Sequence, residues 1–191
     1  MLKKLLFATQ NKNKLREAAE ILQFKYDIEA PPPLENGAEL PEDFFTLHEN
    51  ACQKATFISD KFHVDCFAED TGLEVYALDM QPGVFSARFA GEERSDEENK
   101  KKLLQLLKDQ TNRNARFRTV IALNQNGIIS CFEGILEGHI HTEPLGDGGF
   151  GYDALFIPHG FNQTLAEMES ENKNKISHRK QALLKLVEYL S

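Results

Sequence analysis

The chain has 191 residues, 41% of them hydrophobic and 27% charged, enough apolar content for one globular domain, or two lobes sharing a core, without covalent staples. A net charge of −8 argues against a nucleic-acid or anionic-membrane surface, because those partners are held mainly by excess Lys and Arg. Cys52, Cys66 and Cys131 are odd in number and far apart in sequence, match neither a zinc-ligand spacing nor a disulfide framework, and read as reduced, mostly buried thiols.

The opening "MLKKLLFATQNK" joins a basic pair to a short apolar run that stops at polar residues, with no small-residue cleavage site. No stretch approaches the roughly 18 apolar residues of a membrane span, and the expected location is the cytoplasm. Leu2–Ala8 reads as a strand and Asn13–Gln23 as a helix, with Leu15, Ala18, Ala19 and Leu22 at helical spacing. Tyr26–Ala30 is a second strand, after which Pro31–Pro33 forbid regular pairing and begin an acidic loop to Asp43. Thr46 and Glu49 form a capping box that opens a helix through Phe62, with Asn50 and Lys54 sharing a face.

Cys66–Ala68 reads as a short buried strand that delivers Glu69 and Asp70 at its carboxyl end. Ser95 and Glu98 form a second capping box, for a helix through Leu107. Ala115–Leu123 alternates in period two, Asn126-Gly127 marks a hairpin, and "LEGHIHTE" continues the antiparallel run. "GDGGFGYDALF", Gly146–Phe156, places four glycines in six residues, more backbone freedom than a surface turn needs. "ALFIP" then forms a strand, and Ser177 caps a closing helix with Ala182, Leu183, Leu186, Val187 and Leu190 on its core side. Alternating strands and helices early, with consecutive strands later, predict an α/β fold: a mixed sheet with helices around it.

Chemistry concentrates at few places. Adjacent acids such as Glu69 and Asp70 are often only a solvated turn, but a lone acidic corner suits Mg2+ shared with a phosphate ligand, and Glu42 in the acidic loop is a candidate second ligand. Positive charge gathers at Lys12 and Lys14, at Lys54, and along "KNKISHR" from Lys173 to Arg179. The strand-to-helix turn "TQNKNK" offers helix-terminal amides as a phosphate cradle, yet the chain lacks a Walker sequence, which disfavours P-loop chemistry. "HEN" at His48 begins like a zinc deaminase signature, but no "PCxxC" follows. His139 and His141 share a strand face and are too few for a metal centre, and "GVFSA" around Ser86 is no nucleophile elbow.

Seven segments together, "FATQNKNKLREA", "TLHENACQKA", "AEDTGLEVYAL", "PGVFSARFAG", "GGFGYDALF", "AEM" and "KNKISHR", resemble the inosine/xanthosine triphosphate pyrophosphatases in order and spacing from Phe7 to Arg179. The resemblance implies a two-lobed α/β fold with a long central mixed twisted sheet, a nucleotide cleft between the lobes, and a homodimer. It also implies magnesium-dependent hydrolysis of ITP, dITP and XTP to the monophosphate and pyrophosphate.

By match of motif, Thr9, Gln10, Asn11, Lys12, Asn13 and Lys14 would hold the triphosphate along with Lys54. Asp70 would be general base, metal ligand or both, with Glu42 the less secure metal ligand; Thr71 would contact substrate. Phe150, Gly151, Tyr152, Asp153, Lys173, His178 and Arg179 would complete the pocket. Phe150 or Tyr152 would offer a ring for stacking, and glycines 148, 149 and 151 would let the backbone lie against the nucleotide. Arg179, protonated His178 or backbone amides would read a 6-oxo base. Gln10, Glu69, Thr71 and Ala154 depart from the residues common in the family, and the side chain of Gln10 threatens to narrow the phosphate cradle. A pyrophosphatase for another odd nucleotide and a binding-only sensor remain the rival readings.

Overall fold

The structure, a computed structural model, describes residues 2–191. Seven strands are ordered β2-β1-β3-β5-β6-β7, with β4 attached to β3. They are β1 (Lys3–Ala8), β2 (Tyr26–Glu29), β3 (Cys66–Val75), β4 (Pro82–Gly83), β5 (Asn114–Gln125), β6 (Ile128–Ile140) and β7 (Phe156–Pro158). Strand β1 pairs parallel to both β2 and β3, whereas β3–β4 and β6–β7 are antiparallel, so the sheet is mixed as expected. The helices are α1 (Lys12–Leu22), α2 (Leu47–Phe62), α3 (Asp96–Leu106), α4 (Ser170–Ile176) and α5 (His178–Tyr189).

Local chemistry sets several ends. Asn11 caps α1 by accepting from the amides of Asn13 and Lys14, Thr46 caps α2 through Glu49 N, and Ser95 caps α3 through Glu98 N. Two elements differ from the sequence reading. Helix α4 had no reading of its own, because "SENKNKI" carries no apolar periodicity. Strand β3 does not stop at Ala68 but runs ten residues, with Glu69 and Asp70 inside it. An apolar run that meets two acids looks finished only if the acids are solvated, and both are buried.

The chain divides into two compact units. The first takes in the chain up to Asp70, Thr119–Gly134 and Arg179–Ser191; the second takes in Thr71–Arg118 and Ile135–His178. In the first, Phe7 and Phe67 stack with ring centroids 4.4 Å apart, among Leu22, Ile121, Leu183 and Leu186. The second has its own core of Leu73, Leu103, Phe117, Ile140, Tyr152 and Phe156. Each large side chain so buried contributes about 1.5–3 kcal/mol.

Candidate functional site

In the first unit, Lys54 Nζ donates to Asp70 Oδ1 and to Glu42 Oε1, both at 2.8 Å. Lys54 is 4% exposed and Asp70 6%. The acidic loop is strapped down so that Glu42 reaches this point. Gln10 donates to Ala38 O and accepts from Leu40 N, Gln53 bonds Asp43 at both ends, and Asn50 bonds the backbone of Phe44 in both directions. Asn50 Nδ2 also lies 3.5 Å from Asp70 Oδ2, a long contact that orients more than it binds. The side chain of Gln10 therefore clamps the loop instead of filling a phosphate cradle.

Burial pushes the Asp70 carboxyl above its ordinary range; Lys54 and Lys14 pull against that, and Glu42 adds to it. For Lys54 burial pulls the other way, but Asp70 and Glu42 outweigh it and hold the ammonium charged. The Asp70 and Glu42 carboxylates share the Lys54 ammonium, and Lys14 adds a second positive charge toward Asp70. Two hard oxygen donors already gathered about a cation fit Mg2+, which binds through one or two carboxylates together with substrate phosphates.

Consecutive strand residues point to opposite faces, so Glu69 and Asp70 enter different constellations. Glu69 takes Arg179 in a two-pronged bond, Nε to Oε2 at 2.9 Å and Nη2 to Oε1 at 2.8 Å. Arg179 Nη1 donates to Glu17 Oε2, and Lys14 Nζ lies 3.3 Å from Glu69 Oε1. Arg179 is only 2% exposed, and Glu69 and Glu17 raise its pKa against the lowering effect of burial. Two cations and two carboxylates balance. The guanidinium expected to read a purine edge is thus committed to a buried ion network.

At the start of α1 the amides are less available than the sequence suggested. Asn11 Oδ1 takes Asn13 N at 2.9 Å and Lys14 N at 3.1 Å, while Thr9 Oγ1 takes Asn11 N at 3.1 Å. Lys12 is exposed and Thr9 half-buried.

In the second unit, Asp153 Oδ2 accepts from Lys173 Nζ at 2.7 Å and from Phe150 N at 2.9 Å. The same ammonium sits 5.0 Å from the centre of the half-buried Phe150 ring. Tyr152 belongs to the core, its hydroxyl donating to Ser86 O at 3.0 Å. Gly151 N donates to Asp96 Oδ2 at 2.8 Å. His178 is buried and stacks on Phe117 with centroids 4.9 Å apart, and Thr71 is half-buried on β3. His178 and Arg179 are both buried at the start of α5.

The glycine cluster serves internal packing more than ligand approach. A Cβ on Gly148 would lie 2.6 Å from Ala166 O, and one on Gly149, whose φ is +72°, would collide with the Asp153 carboxylate. Gly149→Ala is expected to cost about 1–2 kcal/mol from backbone strain alone, with a lower urea unfolding midpoint as the readout.

The sequence profile of the Ham1 family matches residues 5–189. The chain belongs to the Ham1 family. This Ham1 chain is 47% identical over 188 residues to a dITP/XTP pyrophosphatase of Christiangramia forsetii, covering 98% of this chain and 99% of that one. It is 46% identical over 190 residues to another from Porphyromonas gingivalis, covering 99% and 98%. Among solved structures, the Staphylococcus aureus Ham1 protein superposes with a TM-score of 0.87 at 34% identity, over 98% of each chain. A HAM1 protein from Coxiella burnetii gives 0.83 at 37% identity, over 100% of this chain and 98% of that one.

Two polar residues that shape the Ham1 constellations escaped sequence reasoning, whereas Asn50 had a signal, one helical turn before Lys54 on the same face. Glu17 and Gln53 had none, as both look like ordinary solvated helix positions until their partners, 162 and 10 residues away, are in place.

Proposed function

We propose that this chain hydrolyses ITP, dITP and XTP to the nucleoside monophosphate and pyrophosphate, removing non-standard purine triphosphates from the nucleotide pool. Near-full-length identity to dITP/XTP pyrophosphatases supports the substrate class. The observation that carries the chemistry is the buried Asp70 carboxylate held 2.8 Å from Lys54 Nζ with Glu42 on the same ammonium.

Asp70 takes a proton from the attacking water, whose oxygen bonds to the α-phosphorus while the bond to the bridging oxygen breaks and pyrophosphate leaves. Lys54 keeps Asp70 ionised and in place, and Asn50 limits its rotation. Asp70 and Glu42 would hold Mg2+, which would supply neutralisation of phosphate charge. The triphosphate lies with Thr9–Lys14, and the nucleoside with Phe150–Asp153 and Lys173. Thr71 follows Asp70 directly on β3 and contacts substrate. Base selection rests on backbone amides and the Phe150 face, since three of the Arg179 N–H groups already serve Glu69 and Glu17. A donor-lined site rejects an adenine amino group by about 10⁴-fold, because donor would face donor.

The expected result of product analysis with ITP and Mg2+ is pyrophosphate and IMP, lost on EDTA addition, with ATP turned over far more slowly. Orthophosphate as the first product, or equal rates on UTP, would sink the proposal. Binding without turnover would instead establish a sensor. The homodimer and the cytoplasmic location belong to the same reading. Light scattering at twice 21.7 kDa checks the first and cell fractionation the second. Among the described residues, no helix is long and apolar enough to cross a membrane.

A further inference from the structure

The cysteines are neither all buried nor all far apart. Cys66 is buried, but Cys52 is half-buried and Cys131 exposed, and the latter two bring their sulfurs within 3.6 Å across 79 residues of sequence. His48, one turn before Cys52 on α2, places Nδ1 3.9 Å from the same Cys52 sulfur. All three ligand atoms lie within 4.8 Å of one another, and all three residues belong to the first unit.

We infer that His48, Cys52 and Cys131 form a surface site for a soft divalent cation of the zinc type, with the fourth coordination position open to water. The distances support a chelate. Around a tetrahedral zinc, two thiolates at about 2.3 Å stand roughly 3.8 Å apart, and a thiolate and an imidazole nitrogen stand roughly 3.6 Å apart. The Sγ–Sγ and Nδ1–Sγ separations of 3.6 and 3.9 Å are close to those edges. The remaining edge, from His48 to Cys131, closes by side-chain rotation, which two exposed residues permit.

A disulfide accounts for less. It would bring the sulfurs to about 2.05 Å and leave the imidazole unexplained. It would also need an oxidant, which the hydrolytic reaction does not supply. Ligand softness separates this site from the Asp70–Glu42 pair: sulfur and imidazole select zinc-like ions, and carboxylate oxygens select magnesium. The cation would tie β6 to α2, the helix that carries Asn50 and Lys54, and stabilise the fold by mass action.

The test is titration of the full, reduced, metal-free chain with Co2+, read by absorbance. A stoichiometric thiolate-to-cobalt charge-transfer band is expected, displaced by Zn2+ and accompanied by a rise in Tm. Cys52→Ser and Cys131→Ser should each abolish the band, and His48→Ala should weaken binding by at least about 10-fold. Cys66→Ser should leave the cobalt band intact, and Mg2+-supported turnover in Cys131→Ser should stay at the wild-type rate, which separates metal loss from misfolding. Absence of the band in the wild-type chain, or its persistence in Cys131→Ser, overturns the site.

Discussion

Asp70→Asn is expected to lower pyrophosphate release from ITP by about 10²–10⁴-fold, the range for loss of a positioned general base, while the urea midpoint stays the same or rises. The stability half follows from burial. The folded-state pKa of Asp70 lies above its ordinary value, so its stabilising contribution is complete below the unfolded pKa and is lost as pH rises through the folded one. At neutral pH the ionised carboxylate is therefore a cost that Asn does not carry, and the Lys54–Glu42 pair left behind is neutral. The same shift places the acid limb of kcat/KM above the reference aspartate value of about 3.9. Wild-type rates in Asp70→Asn, or an acid limb at the ordinary aspartate position, would remove Asp70 as the base.

Arg179→Ala should act on the fold before it acts on specificity. Removing the guanidinium takes from buried Glu17 and Glu69 the cation they share, and breaking a buried pair in this way costs about 3–5 kcal/mol. Arg179→Lys should rescue little, because an ammonium cannot make the two-pronged bond to Glu69. A triple replacement, Arg179→Met with Glu17→Gln and Glu69→Gln, removes the stranded charges and should recover most of the midpoint. If Arg179→Ala keeps the wild-type midpoint and loses the preference for ITP over ATP, the guanidinium reads the base after all.

Much of this was legible in the chain itself. The capping boxes at Thr46 and Ser95, the Asn126-Gly127 hairpin and the helical spacing after Asn13 depend on neighbours within a few residues, and each emerges at its place. The ordered motifs also named Asp70, Lys54, Asp153 and Lys173 as residues to watch, and the acidic loop offered Glu42. What they could not give was partnership. Glu17 and Arg179, or Cys52 and Cys131, read as unrelated in sequence because nothing local couples positions 162 or 79 residues apart.

The primary sequence alone carried the ordered family motifs and the α/β class, since those are written in contiguous segments and local spacing. Tertiary structure alone decided which carboxylate meets which cation. One residue of strand alternation sends Glu69 to a buried ion lock with Arg179 and Asp70 to the Lys54 ammonium that it shares with Glu42. It also turned Gly146 and Gly148 toward Ala166 and Gly149 toward Asp153, because close approach is a property of the folded backbone and not of the glycine count.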